Sequence, residues 1–386
     1  MVGKRIYLDY NATAPLLPAA RAAVIDALEA FNPSSVHAEG RAARRIVEDA
    51  RQAVAALVNG RSEHVVFASG ATEAASTLLT PDWTMGRARL RFSRAYVSAA
   101  DHPSLLSGGR FPAGQVERIG VIRNGLVDLD ALERALAVHD KGQGLPLVAV
   151  HAANNETGVI QPVEEIGPMV KAVGGVLIVD AVQAAGRIPL DVSASYADFL
   201  ILSSHKIGGP KGVGAFVGAS DLMMPAALVT GGGQEKGHRA GTENVAAIAG
   251  FGAAAREAAT ALDKTAPMRL MRGRIEVAIR QVLPDAVIHA EAAPRLPNTV
   301  FFTIPGMKAE TAQIAFDLAG IALSAGSACS SGKVGPSHVL QAMGFDDALG
   351  ALRVSIGPQT QEKEIDAFTA ALESIIRRRK SASAAA

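Results

Sequence analysis

Residues 176–179 (VLIV) and 199–202 (FLIL) are unbroken aliphatic or aromatic runs bounded by glycine and polar residues. Runs of this length with no polar alternation read as strands covered on both faces, the situation of a parallel sheet sandwiched between helices. Both runs lead into groups that carry charge: Asp180 follows the first, and Ser203-Ser204-His205-Lys206 follows the second. Open α/β sheets present ligand groups at the carboxyl ends of their strands, so the pair asks for a ligand that takes one carboxylate and one amine.

The rest of the first 217 residues repeats the pattern of a strand followed by a polar turn and a helix. Residues 64–68 form a strand, and Ser69-Gly70-Ala71-Thr72-Glu73 then opens an alanine-rich helix. Small residues at such a turn leave backbone N–H groups facing outward where the helix dipole is positive, which suits a phosphate, although Thr72 with the neighbouring Glu73 equally well caps a helix. A strand at residues 95–99 runs into Asp101-His102-Pro103-Ser104, and one at 145–150 runs into His151-Ala152-Ala153-Asn154-Asn155. Alternating strands and helices predict βαβ units with right-handed crossovers. Beyond the 250s the strands shorten (299–304, 322–324, 352–356) and alternate with helices beginning near 310, 336 and 362. The expected class is therefore α/β: a large domain over residues 15–255 with a mostly parallel, seven-stranded sheet between helices, and a smaller α+β domain from residues 1–14 and 256–386.

Composition removes whole classes of function. A net charge of +1 and 19% charged residues offer no basic face for nucleic acid or an acidic membrane, and 49% hydrophobic residues exclude a disordered chain. No apolar run reaches the ~20 residues that cross a bilayer, and Asp9 interrupts the N-terminus before a signal-peptide core, so a cytoplasmic location is expected. A single cysteine, Cys329, rules out an internal disulfide and a cysteine-cluster metal site, and no metal is expected. The glycine-rich stretches at 208–212 and 231–241 match neither G-x-x-x-x-G-K-[ST] nor a strand-linked G-x-G-x-x-G, which argues against an ATPase or a dehydrogenase.

A phosphate seat, a carboxylate, an amide pair, a histidine able to stack and a lysine on a serine- and histidine-rich turn are together what pyridoxal 5′-phosphate requires. A lysine bonds its aldehyde as a Schiff base, a carboxylate keeps its ring nitrogen protonated, and hydroxyl and N–H donors take its phosphate. Nearly end to end, through LDYNATAP, SGATE, NNETGV, DAVQ, SSHKIGGPKG, GHRAGT, GSACSSG, PSHVL and LRVSIG, the chain resembles the NifS/IscS-like cysteine desulfurases. These belong to the class V aminotransferases, which have pyridoxal-phosphate fold type I. The resemblance implies that Lys206 forms the Schiff base, Asp180 holds the ring nitrogen, Gln183 bonds the phenolic oxygen and Asn155 lies beside it near the substrate. It implies a phosphate site of Ala71, Thr72, Ser203 and His205, helped by Thr242 from the other subunit of a homodimer. His102 would stack on the ring and move protons, and Arg353 would grip the carboxylate of L-cysteine.

Cys329 sits in Gly326-Ser327-Ala328-Cys329-Ser330-Ser331-Gly332, a loop of small residues poorly suited to burying a side chain. By resemblance it is the nucleophile that takes sulfur as a persulfide and passes it to an acceptor protein, for iron–sulfur clusters or thio-cofactors. A selenocysteine lyase, another class V enzyme and a catalytically silent scaffold on the same fold remain alternatives. Two stretches depart from the family pattern: Ala74-Ala75-Ser76-Thr77 lacks the usual asparagine, and residues 80–94 are short and unusual.

Overall fold

The computed structural model describes residues 5–326, 337–345 and 348–384. Its main sheet contains β1 (Val65–Ala68), β2 (Ala88–Ser98), β3 (Val116–Ile119), β4 (Leu145–His151), β5 (Val176–Asp180), β6 (Phe199–Ser203) and β7 (Gly214–Gly218). Their spatial order is β3-β2-β4-β5-β6-β7-β1. The pairs from β3 to β6 are parallel, whereas β7 is antiparallel to both β6 and β1, so six of the seven strands point the same way.

Alternate residues along these strands enter different cores, which is why the runs are continuously apolar. Leu177, Val179, Leu200 and Leu202 pack into one cluster, with Val54 and Phe251 from helices α1 (Ala38–Leu57) and α3 (Val245–Ala261). Ile178, Phe199 and Ile201 pack into the other, against α2 (Ala71–Leu78). The unusual stretch at residues 80–94 is a hairpin. Asp82–Met85 pairs antiparallel with the first half of β2, and Met223–Pro225 adds a further strand, making nine. Trp83 inserts from this hairpin into the second core, edge-on to Phe92 and Phe199 at 5.4 Å each, and its indole N–H bonds the Thr80 carbonyl at 2.9 Å.

A separate antiparallel sheet of β8 (Val287–Ile288), β9 (Thr299–Thr303), β10 (Ser324–Ala325) and β11 (Leu352–Ser355), in the order β8-β9-β11-β10, has its own core with helices α4 (Thr265–Val282), Ala309–Leu318 and α5 (Glu362–Ala384). The N-terminal strand Ile6–Tyr7 joins this part of the molecule through parallel pairing with Ile321–Ala322. Residues 255 and 256 lie inside α3, which continues to Ala261 before a short turn at Leu262–Lys264 leads into α4. Among the described residues, no single helix is long and apolar enough to cross a membrane.

Candidate active site

The carboxyl ends of β4, β5 and β6 meet the N-terminal segment at one polar pocket. Asp180 is the last residue of β5, in register with His151 of β4 and Ile201 of β6. Its side chain is enclosed, and one carboxylate oxygen accepts the Val182 N–H at 3.0 Å. Burial pushes the carboxyl up to about 6, assisted by nearby Asp101, while the Val182 N–H, His151 and Lys206 pull it down. A buried carboxylate in this condition is short of a cation.

Lys206 closes a 3-10 turn (Ser204–Lys206) directly after β6. Its ammonium donates to the carbonyls of Asn11 at 2.6 Å and Ala12 at 2.9 Å. The charge is felt by its neighbours: burial first, then Lys206, brings both His102 and His205 down to about 4, so both rings are neutral at pH 7. His102 caps the short helix Pro103–Leu106, and its Nδ1 accepts the Ser104 N–H at 3.1 Å. In a neutral ring that contact puts the proton on Nε2. His205 contacts the Thr13 hydroxyl through Nδ1 at 2.6 Å.

The proposed phosphate seat lies at the start of α2. The first helical bond runs from Ala74 N–H to Gly70 O, leaving the N–H groups of Ala71, Thr72 and Glu73 without intrahelical acceptors. Gly214 makes room for the approach: an added Cβ would fall 2.8 Å from Gly70 and 2.7 Å from the Leu202 carbonyl. Because Gly214 pairs with Ser203, the seat is one strand spacing from the Ser203-Ser204-His205-Lys206 turn. A dianion there gains the helix dipole and the free N–H groups together.

Several polar residues that hold this pocket are not distinctive in the sequence. Asn11 is fully buried, and its Nδ2 donates to Asn155 O (3.2 Å) and Thr299 Oγ1 (2.9 Å) while its Oδ1 accepts from Asn298 (3.0 Å). Its carbonyl takes both Lys206 Nζ and Gln183 Nε2, so one asparagine ties the lysine to the smaller sheet. Behind Asp180, Asp101 accepts from the Ser98 and His151 N–H groups and from His151 Nδ1 at 2.5 Å, and His151 Nε2 faces Gln161 at 3.0 Å. The clue in the sequence was the density of short polar residues in DYNAT, where a surface turn and a buried hub look alike.

Arg353 arrives from β11 and is 1% exposed. Its Nη2 is paired with Asp9 at 2.8 Å and approaches Ser324 Oγ at 3.2 Å, and its Nη1 donates to Asn155 O at 2.8 Å. A ligand carboxylate binding here must share the guanidinium with Asp9 or displace it. Thr242 is exposed on the 231–244 loop, and that loop is tied to the start of α2 by Arg239 and Glu73 at 3.0 Å. Cys329 lies outside the described residues.

Glu156 sits where the smaller sheet meets this pocket. It is 1% exposed, accepts the Ser337 hydroxyl at 2.6 Å, and lies 3.1 Å from where a Cβ on Gly326 would be. Burial pushes its carboxyl up to about 7 against the pull of Ser337 and Arg353. Between its ordinary value near 4.5 and about 7, the native state keeps a proton that the unfolded chain has released, so this group costs stability as pH rises through that window. Glu156→Gln lacks the titration. Its unfolding free energy minus that of the wild type is expected to climb by on the order of 1–3 kcal/mol from pH 4.5 to 7 and stay level above. Urea unfolding across pH checks this, and parallel curves for the two proteins would refute it.

A lysine and a buried carboxylate on neighbouring strand ends, with a helix N-terminus beside them, are the arrangement expected of a fold type I pyridoxal-phosphate enzyme. The chain belongs to the Aminotransferase class-V family, which it matches over residues 6–368. It is 41% identical to a cysteine desulfurase of Frankia sp. (strain EuIK1), covering 93% of this chain and 88% of that one. It is 37% identical to the cysteine desulfurase IscS 1 of Archaeoglobus fulgidus, covering 98% of each. Among solved structures it resembles a NifS-like protein from Rickettsia africae ESF-5, with a TM-score of 0.86, 33% identity, and 96% and 99% of the two chains covered.

Proposed function

We propose that the chain is a pyridoxal-phosphate-dependent cysteine desulfurase, which takes sulfur from L-cysteine onto Cys329 and leaves L-alanine. The observation that carries this reading is the placement of Lys206 and Asp180 at adjacent strand ends, with the open N–H groups of α2 across Ser203. The pocket fits the cofactor on its own chemistry. Asp180 has one carboxylate oxygen without a hydrogen-bond partner among the described residues, and a protonated ring nitrogen is the cation that burial there calls for. Ala71 and Thr72 open the helix that offers the seat, and Ser203 pairs with Gly214 beside it. With His205 they would take the phosphate, and Gln183 and Asn155 would face the ring.

When bound, pyridoxal phosphate supplies an aldehyde that condenses with amines and a ring that accepts the electron pair freed at Cα. The protein does the rest. Lys206 would hold the cofactor aldehyde and, its amine freed, would be the base for the substrate Cα proton. Neutral His102 would stack on the ring, with its Nε2–H available to pass a proton. Arg353 orients the substrate through its carboxylate, for which a planar fork is suited. The Cys329 thiolate takes the substrate sulfur: the substrate C–S bond breaks, an S–S bond forms on Cys329, and the electron pair left on the three-carbon fragment takes up a proton on the way to alanine. In a homodimer, Thr242 reaches the phosphate site of the other subunit. The persulfide then passes to a cytoplasmic acceptor protein of iron–sulfur cluster or thio-cofactor synthesis.

The experiment is an assay of alanine and sulfide released from L-cysteine in the presence of a thiol. Cys329→Ser, which removes the sole cysteine, is expected to keep the yellow colour of the bound cofactor and lose both products. Unchanged turnover in that variant would show that sulfur leaves by another route.

A further inference from the structure

Arg187 lies four residues beyond Gln183 and is enclosed, with 7% of its surface exposed. Its Nη1 donates to both the main-chain oxygen and the Oε1 of Gln183, each at 2.7 Å. Its Nη2 approaches the carbonyls of Tyr10 at 3.5 Å and Lys206 at 3.4 Å. Every acceptor is neutral, and no carboxylate is paired with it among the described residues. Burial, with a contribution from Arg353, brings the group down to about 10, so it is still a cation at neutral pH.

A guanidinium has donors and no acceptor. The atom of Gln183 that faces Arg187 is therefore the amide oxygen, and the amide nitrogen must point the other way. There it donates to Asn11 O at 3.0 Å, the same carbonyl that receives Lys206 Nζ at 2.6 Å. The second N–H of that amide is left for an acceptor on a ligand held by Lys206. Without Arg187, the Asn11 carbonyl alone would oppose a flipped amide, whose oxygen would turn toward the ligand.

We propose that Arg187 is a positioning residue for the cofactor's phenolic oxygen: it locks the Gln183 amide with N–H toward the ring and places a fixed positive charge behind it, which favours the ionised phenolic oxygen. This rests on the pyridoxal-phosphate reading of the site. A nearby cation lowers the pKa of an acidic group, so Arg187 holds down the pH at which the lysine-linked cofactor chromophore changes protonation.

Arg187 also lines a cleft of about 100 Å³ with Tyr10, Glu257 and Gln359. Glu257 and Gln359 are exposed, so the cleft opens to solvent. Truncating Arg187 leaves a path by which free guanidinium ion can take its place.

The test is a pH titration of the visible absorbance of the purified holoenzyme, with cofactor affinity measured alongside. In Arg187→Met the chromophore pKa is expected to rise by about one unit, with weaker retention of pyridoxal phosphate. Arg187→Lys, which keeps the charge and loses the fork, falls between it and the wild type. In Arg187→Ala, millimolar guanidinium chloride restores the lower pKa, whereas sodium chloride at equal ionic strength does not. If Arg187 acts through the amide, Arg187→Met made in a Gln183→Leu background adds less than half of its shift in the wild type. An unchanged chromophore pKa in Arg187→Met and Arg187→Lys overturns the proposal, as does full additivity with Gln183→Leu. Should Arg187→Met fail to fold, Arg187→Lys and the guanidinium response decide the question alone. A wild-type protein that forms no visible adduct with pyridoxal phosphate overturns the functional reading itself, a result distinct from a normal adduct with an unmoved pKa.

Discussion

Lys206→Ala is expected to yield a folded, colourless protein that no longer releases alanine from L-cysteine. Two roles are lost at once. The amine that fixes the cofactor aldehyde is gone, so borohydride no longer attaches the cofactor to the chain. The positioned base for the Cα proton is gone too, and such groups supply about 10²–10⁴-fold each. Alanine formation should fall by at least that range even when pyridoxal phosphate is added in excess. The fold should survive, because the bonds Lys206 makes to Asn11 and Ala12 are at the edge of the pocket and the side chain is only half-buried. The charge of Lys206 also depresses His102 and His205, second to burial, so both imidazoles should titrate higher in the variant, as NMR would report. A cofactor linkage in Lys206→Ala that borohydride still reduces onto the chain would refute the assignment of the lysine.

The largest effect on stability is expected at Glu235. Arg51 and Glu235 form a two-pronged pair, 2.7 Å on each side, with side chains 8% and 2% exposed. Glu235 also accepts the Phe67 N–H at 2.8 Å, and Arg51 lies over the Phe67 ring at 4.8 Å. Removing Glu235 leaves the enclosed Arg51 with the partly exposed Glu48 at 3.2 Å as its remaining carboxylate. The cost should therefore approach the lower end of the about 3–5 kcal/mol for breaking a buried pair, whereas removing both for apolar groups of similar volume costs far less. Glu235→Ala should therefore be less stable than the double variant Arg51→Met, Glu235→Leu, by urea unfolding of the holoenzyme. The pair also holds a strained turn: Glu235 and Lys236 have φ of +45° and +55°, each left-handed without being glycine. The same loop carries Arg239, bonded to Glu73 at the phosphate seat, and then Thr242. Loss of Glu235 should weaken cofactor retention in addition to lowering stability. A single variant as stable as the double would show that the pair does not brace the loop.

The sheet was legible in advance wherever the chain covers both faces with helices. The continuous apolar runs at β4, β5 and β6 read as strands because they are short and closed by polar residues, and their alternate side chains enter two cores. The hairpin at Asp82–Met85 was harder to read, because DWTM and the start of β2 are mostly exposed and pair along an edge where no hydrophobic period marks them. Of the pocket, Asp180 and Lys206 stood out because charge at the end of a buried strand is costly without a ligand. Asn11, Asp101, Glu156 and Arg187 did not, since an asparagine in a turn or an arginine after a glycine carries no sign of burial. Asp101 contacts His151 across 50 residues and Asn11 contacts Thr299 across 288, separations that local pattern cannot report.

By itself, the sequence determined the layered α/β fold and marked Asp180 and Lys206, because both follow from local rules: apolar period and charge at strand ends. The roles of Gln183, Asn155, Thr242, Arg353 and Cys329 came from the resemblance to the cysteine desulfurases. Tertiary structure alone decided how those groups are held. It buried Arg353 against Asp9, turned the Gln183 amide by means of Arg187, and put the Lys206 ammonium on the Asn11 carbonyl. Each of those outcomes depends on which distant groups share a low-dielectric pocket, where an unmet donor or charge costs several times what it costs in water.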